Sequence, residues 1–191
     1  MSAQIRANFR MYKTADDFFA DYLKAYLGEN RAARLMSDSL EKAGVGLMPL
    51  IDHCAIRTHD VEKRALEVVS YGFSQDEKLG MLEFDNWWAK VYRKPGYPSL
   101  FIDQAFDGER GAKSLIPEWV DAHGDRLFHH IAILVENIEF AIEVLKAQGI
   151  LFAGDIIGER GSHLRHILTR PEMKNGKGFT VLELTERHHG Y

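Results

Sequence analysis

The stretch Ile51-Asp52-His53-Cys54-Ala55-Ile56 returns later in the chain as Phe128-His129-His130-Ile131-Ala132-Ile133. At this offset His53 matches His130, and the match extends beyond the two histidines. Further identical pairs are Ala55 with Ala132, Ile56 with Ile133, Glu62 with Glu139 and Gly72 with Gly149. Each copy is a short apolar segment followed by a helical stretch that ends at glycine. The chain therefore contains a duplicated strand–helix unit, which can bring one histidine from each copy face to face.

The composition is that of an ordinary globular protein. The 191 residues are 46% hydrophobic and 27% charged, with a formal net charge of −4. A mildly acidic chain with scattered Lys and Arg argues against nucleic-acid and membrane-surface binding, which need a basic face. The N-terminal segment lacks the apolar core of a signal peptide, no apolar run reaches membrane-spanning length, and Cys54 is the only cysteine. A cytoplasmic protein is expected.

Capping residues, glycines and prolines divide the chain into four segments. They are an N-terminal helical segment (1–48), a first β-α-β-β-β unit (49–105), a linker with a short helix around Ile116–His123 (106–126), and a second β-α-β-β-β unit (127–191). The expected fold class is α+β. Two paired β-α-β-β-β repeats form a curved sheet around a metal cavity within one structural domain, preceded by N-terminal helices.

Local patterns place the elements within these segments. A first helix begins at a capping box formed by Thr14 and Asp17 and stops at Gly28, and a second runs from about Asn30 to Ala43. The expected strands of the first unit, after the histidine strand, are Met81–Phe84, Lys90–Arg93 and Ser99–Ile102. Those of the second unit lie near 128–135, 164–169 and 179–185.

Alternation along the two histidine strands decides which side chains share a face. One face is expected to carry Ile51, His53, Ala55 and Arg57 in the first copy, and Phe128, His130, Ala132 and Leu134 in the second. The opposite face carries Asp52, Cys54 and Ile56, with His129, Ile131 and Ile133. The apolar residues of this second set suit packing against the helices, which leaves His53 and His130 toward the cavity.

Glu183 is a single carboxylate between Leu182 and Leu184 on the last expected strand. A buried carboxylate is costly without a cation or donors nearby. Two histidines and one carboxylate on three strands match the facial triad that leaves positions open on non-haem Fe(II). Alignment of the units places Ile102 opposite Glu183, so a fourth protein ligand is missing. Asp103 could supply one only through a register slip, and the asymmetry favours an open, catalytic metal.

These features resemble the vicinal oxygen chelate superfamily of glyoxalases, bleomycin-resistance proteins and dioxygenases. Within it, the motifs Asp52-His53-Cys54-Ala55-Ile56-Arg57-Thr58 and Leu182-Glu183-Leu184-Thr185-Glu186-Arg187 are most similar to the 2-oxoadipate dioxygenase/decarboxylase-like family. The resemblance implies that His53, His130 and Glu183 bind iron, and that Arg57 helps to hold the 2-oxo acid. Guanidinium is also the natural bidentate partner of a carboxylate, and Arg57 can lean back toward His53.

The resulting hypothesis is a non-haem Fe(II) dioxygenase-like enzyme that acts on a small 2-oxo acid chelated to the metal, with Arg57 and Arg165 as candidate substrate-binding residues. Two alternatives stay open. One is a non-redox lyase, isomerase or hydrolase of the superfamily that uses Zn, Ni or Mn, and the other is a non-catalytic small-molecule-binding module. A small oxo acid is the expected partner, a homodimer is allowed, and contributions of Asp103, His129 and His163 to the site are left open.

Overall fold

The computed structural model describes residues 12–188 and arranges them as a nine-stranded mixed sheet and a separate two-stranded hairpin, with helices packed around them. The helices are α1 (Ala15–Glu29), α2 (Arg31–Lys42), α3 (Val61–Ser70), α4 (Gly108–Gly111), α5 (Ile116–His123) and α6 (Ile138–Ala147), with a 3-10 turn at Met48–Leu50. The strands are β1 (Ile51–Arg57), β2 (Ser74–Gln75), β3 (Met81–Glu83), β4 (Trp87–Arg93), β5 (Ser99–Ala105), β6 (His130–Leu134), β7 (Phe152–Ile157), β8 (Leu164–Thr169), β9 (Met173–Lys174), β10 (Lys177–Gly178) and β11 (Val181–Arg187).

Side-chain caps start the helices where the sequence predicts. Thr14 accepts a hydrogen bond from the Asp17 backbone N–H at the start of α1. The helices of the two repeats begin in the same way, with Asp60 capping α3 and Asn137 capping α6. Helix α1 runs one residue past the predicted stop at Gly28, because Asn30 both closes α1 and caps α2.

The duplication places the histidine strands side by side at the centre of the sheet. Strands β1 and β6 pair antiparallel, and each pairs parallel with the last strand of its own unit, β5 or β11. The sheet continues outward through β4 and β2 on one side and through β8 and β7 on the other. A pseudo-twofold axis therefore lies between β1 and β6. The expected α+β class, with N-terminal helices and a large curved sheet, is confirmed.

Four strands are not predicted from the sequence, β2, β7, β9 and β10, and β7 is the longest of them. β7 spans Phe152–Ile157 and forms the edge of the sheet beside β8. Its segment contains Gly154, and its pairing with β8 is irregular between Ala153 and Ile157, so it lacks the regular alternation that marks a strand. The order β-α-β-β-β of the second unit depends on this strand.

Helices α1, α2, α3 and α6 contribute to the main core on one face of the sheet, and the histidine face lies opposite. The core on the helix side combines aromatic residues of α1 with the inward residues of the central strands, including Cys54, Ile56, Ile131, Ile133, Leu182 and Leu184. Phe128 also belongs to this core, where it contacts Phe18, Phe19 and Tyr22. Its predicted place on the cavity face is wrong because β6 begins only at His130. No helix within residues 12–188 has the length and apolarity needed to cross a bilayer.

Candidate metal centre

His53, His130 and Glu183 converge from three neighbouring strands. His53 on β1 and Glu183 on β11 both pair with Ala132 of β6, and His130 lies two residues before Ala132. The three side chains therefore project from one face. Their candidate ligand atoms lie within 4.8 Å of one another. The Glu183 Oε2 atom is 3.5 Å from Nε2 of His53 and 3.5 Å from Nε2 of His130. Two imidazoles and a carboxylate thus face a common point.

The charge of Glu183 is balanced by imidazoles alone. Among residues 12–188, its ion-pair partners are His53, His130 and His166, with no Lys or Arg at such a distance. Burial works to raise the pKa of Glu183, but contacts with His166 and His53 hold it well below its usual range. Burial lowers the pKa of His130 to about 3, so this imidazole is neutral and ready to act as a ligand. The donor set fits a divalent transition metal.

A β-bulge positions the His53 ring. The register of β1 against β6 shifts between Ile51 and His53, so Asp52 is an extra residue in the strand. Its Oδ2 atom accepts a hydrogen bond from His53 Nδ1 at 2.8 Å, and Arg187 donates to both carboxylate oxygens at 2.8 and 2.7 Å. The expectation that Asp52 faces the helices, with Ile51 toward the cavity, is wrong because the bulge breaks the alternation and Ile51 joins the core.

The Asp52 carboxylate also decides the tautomer of His53. Burial works to raise the pKa of Asp52, but hydrogen bonds from His53 and Arg187 lower it to about 2, so this carboxylate accepts and does not donate. Nδ1 of His53 must then carry a proton. Burial works to lower the pKa of His53, but hydrogen bonds with Asp52 and Glu183 raise it to about 9, so Nε2 is also protonated toward Glu183 in the metal-free protein and a bound metal would replace that proton. A carboxylate that orients a histidine in this manner is a common outer partner of metal sites.

Replacing Asp52 with Asn should weaken metal binding about 10- to 100-fold, the usual cost of losing such an outer partner. The amide no longer enforces the tautomer or supports the basicity of Nε2. Calorimetric titration of metal-free protein with Zn²⁺ measures the effect. Asp76→Asn is the matched control, because Asp76 also pairs with an arginine, Arg93, and is not among the ion-pair partners of the triad. Equal affinities for wild type and Asp52→Asn would contradict the role given to Asp52.

Two further histidines support the triad from outside. Nδ1 of His129 lies 3.0 Å from Nδ1 of His130, so a proton on His130 Nδ1 can be shared with His129 while Nε2 stays bare. Nδ1 of His166 lies 2.8 Å from Oε1 of Glu183. This is a close contact rather than a well-directed hydrogen bond, since Nδ1 of His166 has no partner with hydrogen-bond geometry within residues 12–188. It holds Oε1 on the side away from the two imidazoles, which contact Oε2.

His166 was missed by the sequence analysis, which considered His163 and Arg165 in that segment. The pairing of β8 with β11 is the feature that indicates its position. His166 pairs with Thr185, two residues beyond Glu183, and so shares its face. Arg165 therefore points to the opposite face, where it binds Glu139 and Glu186. The expectation that Arg165 lines the substrate cavity is not met, because its guanidinium is held by two carboxylates on the helix side of the sheet.

Phe101 takes the position that a fourth protein ligand would need. It pairs with Ala55 in the first repeat, as Glu183 pairs with Ala132 in the second. The Phe101 ring centroid lies 4.7 Å from that of His53. The predicted counterpart of Glu183, Ile102, is wrong by one residue and lies in the core on the other face. The Phe101 side chain, like that of Ile102, has no atom that can bind a metal. This position therefore offers no fourth ligand.

Arg57 and Asp103 are neighbours at one end of the same face. Asp103 is almost fully buried, and burial raises its pKa to about 7 despite the nearby Arg57 charge. The Arg57 guanidinium lies 5.7 Å from the centre of the Trp119 ring, and its buried Nε has no hydrogen-bond partner within residues 12–188. Burial lowers the pKa of Arg57 to about 10, which still leaves it charged at neutral pH. A partly buried cation with an unpaired Nε suits an anionic ligand group.

Two cavities flank the triad. One of about 410 Å³ has Arg57, His129, Val181 and Leu168 in its lining. The other, of about 750 Å³, lies against His53 and Phe101 at the opposite end. The larger cavity reaches the triad at His53, and the smaller one lies beside the triad without including it in its lining.

No known protein family and no curated protein matches the sequence. Solved structures with the same fold include a protein from Shewanella frigidimarina assigned as a hydrolase (TM-score 0.74, 17% identity, covering 93% of this chain and 94% of that one). A glyoxalase superfamily protein from Ralstonia eutropha has a TM-score of 0.66 at 12% identity, covering 90% and 82%. Methylmalonyl-CoA epimerase from Mycobacterium tuberculosis has a TM-score of 0.56 at 16% identity, covering 75% and 91%. At these identities the likeness shows a shared fold and nothing further.

Proposed function

We propose that this protein is a non-haem Fe(II) enzyme of the dioxygenase type, with His53, His130 and Glu183 as metal ligands and a small 2-oxo acid as substrate. The observation that carries the proposal is the convergence of these three donors with Phe101 at the fourth position. Three protein ligands on one side leave room for a chelating substrate and for O2. The motif resemblance to the 2-oxoadipate dioxygenase/decarboxylase-like family supports the choice of a 2-oxo acid.

The protein's own residues prepare the site in three ways. Asp52 and Arg187 hold His53 with Nε2 toward the centre, and His166 holds one oxygen of Glu183. Arg57 offers a buried cation to a substrate carboxylate. When bound, the metal would supply a Lewis-acidic and redox-active centre for the substrate oxygens and O2. The role of the protein is to orient the acid between that centre and Arg57.

Oxygen uptake tests this proposal. Protein loaded with Fe(II) without air should consume O2 when a 2-oxo acid from a broad panel is added, and protein loaded with Zn²⁺ should not. Glu183→Ala should abolish the uptake, whereas Glu77→Ala, at a solvent-exposed site on a turn, should leave it unchanged. Absence of uptake by fully iron-loaded protein across the whole panel would contradict the dioxygenase proposal.

A non-redox lyase, isomerase or hydrolase is the second candidate, and the shared fold with a methylmalonyl-CoA epimerase favours it. The same three donors bind Zn, Ni or Mn, and such a metal polarises a carbonyl oxygen without O2. Metal analysis of protein purified without air separates the candidates. Full occupancy by Zn or Ni in an active protein that consumes no O2 would favour this second reading over the first.

A further inference from the structure

The smaller cavity is built by two segments that lie outside the repeated pattern. Helix α5 belongs to the linker between the units, and the β9–β10 hairpin interrupts the second unit between β8 and β11. The first unit connects the equivalent strands, β4 and β5, by a short turn. Helix α5 contributes Trp119 and His123 to the lining, and the hairpin side contributes Phe179. The duplicated fold makes the metal site, and these added segments make a wall beside it.

Direct contacts tie the two segments together. Trp119 Nε1 donates to the Phe179 carbonyl at 2.7 Å, and His123 Nε2 donates to the Gly178 carbonyl at 3.0 Å. At the rim, Lys177 and Glu118 form an ion pair of 2.9 Å. Trp119 and Phe179 stack with their ring planes 17° apart. The wall is therefore preformed and largely aromatic, which suits the shape of a flat apolar group.

The cavity lies beside the metal centre, although its lining includes none of the three candidate ligands. Leu168, in its lining, pairs with Glu183, and Val181, also in its lining, pairs with His130. Arg57, whose Nε has no hydrogen-bond partner within residues 12–188, adds a cation to the lining. A ligand whose acid group lies between the metal and Arg57 would extend its remainder from there along the aromatic wall.

The larger cavity at the other end is different in character. Its charged residues are already engaged with each other, Arg187 with Asp52 and Arg93 with Asp76. Transfer of an apolar group into this polar end would separate or desolvate those pairs, which is unfavourable. The smaller, aromatic cavity is therefore the better place for an apolar substituent.

We infer that the cavity between α5 and the β9–β10 hairpin binds the side chain of the substrate, and that this side chain is flat and apolar, as in an aryl-substituted 2-oxo acid. The inference rests on the proposed function, because it assumes that the acid group of the substrate binds the metal. It specifies the class of substrate, and we therefore expect phenylpyruvate to bind more tightly than pyruvate. Burial of a phenyl ring against Trp119 and Phe179 should tighten binding about 10- to 100-fold.

Binding to Zn²⁺-loaded protein, measured by calorimetry without O2, tests this preference apart from catalysis. Phenylpyruvate and pyruvate are the probes. Ala153→Trp fills the cavity from an exposed position in its lining, so it should reduce the preference for phenylpyruvate to about twofold or less while pyruvate affinity stays within about twofold. Ile157→Trp is the matched control, because Ile157 is exposed on the same strand but is not in the lining, and it should keep the wild-type preference.

A second variant, Trp119→Leu, should weaken phenylpyruvate more than pyruvate, with thermal unfolding measured to show that it is folded. Equal affinity of wild-type protein for the two acids, or an undiminished preference in Ala153→Trp, would overturn the assignment of the cavity and leave the proposed function standing. If metal-loaded wild-type protein binds neither acid, the proposed function and this inference both fail.

Discussion

Replacing His130 with Ala should abolish tight binding of divalent metal while leaving the metal-free protein folded. The affinity for metal should fall by more than about 100-fold, because removal of even an outer partner of a metal ligand lowers the affinity about 10- to 100-fold. The remaining donors, His53 and Glu183, offer too few ligands to hold a transition metal firmly. Glu183 keeps its contacts with His53 and His166, so the free energy of unfolding of the metal-free protein should change by only about 1 kcal/mol.

Thermal unfolding with and without Zn²⁺ measures both halves of this prediction. A metal that binds only the folded protein stabilises it by about 2.7 kcal/mol at 100 times its Kd, and this gain should vanish in His130→Ala. His59→Ala serves as the control, since His59 is exposed at the end of β1 and pairs with Asp121 away from the triad. A His130→Ala protein that still gains the wild-type stabilisation would show that metal binds elsewhere.

The sequence was most informative where regular alternation holds. The repeat and the period of two along β1 and β6 placed His53 and His130 on one face, and Cys54, Ile56, Ile131 and Ile133 on the other. The structure keeps that division because both strands are central and are covered by helices on one side. Glu183 followed from the same reasoning, as a lone carboxylate between two buried leucines. The period of two along the strands therefore predicted the fold class and the common face of His53, His130 and Glu183.

Irregular backbone is where that reasoning failed. Alternation along a strand holds only while the strand is unbroken. It therefore predicts neither the bulge at Asp52 nor the start of β6 after Phe128. An alignment error of one residue put Ile102 in place of Phe101, because a slip of one position exchanges the two faces of a strand. His166 needed the pairing of β8 with β11, which is a long-range contact and not a local pattern. Strand register is thus the missing information in each case.

Replacing Phe101 with Glu should convert the open site into a closed one. The pseudo-twofold axis relates Phe101 to Glu183, so a carboxylate at 101 would face the metal from the first repeat as Glu183 does from the second. Two histidines and two carboxylates complete a four-ligand set. Zn²⁺ affinity should rise by about tenfold or more, since one added ligand contributes more than about 1.4 kcal/mol. Iron-dependent O2 uptake should fall by at least about 100-fold, because the added carboxylate takes a position that the substrate requires.

Opposite changes in affinity and turnover distinguish this prediction from simple damage to the site. The metal-free Phe101→Glu protein should be less stable, because the new carboxylate is buried beside Glu183 and the two negative charges repel, and Zn²⁺ should restore the loss. Phe101→Leu is the control, since it keeps an apolar group against His53 and should retain most of the O2 uptake. If Phe101→Glu binds Zn²⁺ no better than Phe101→Leu does, the two repeats are not equivalent at this position, and the open site has another cause.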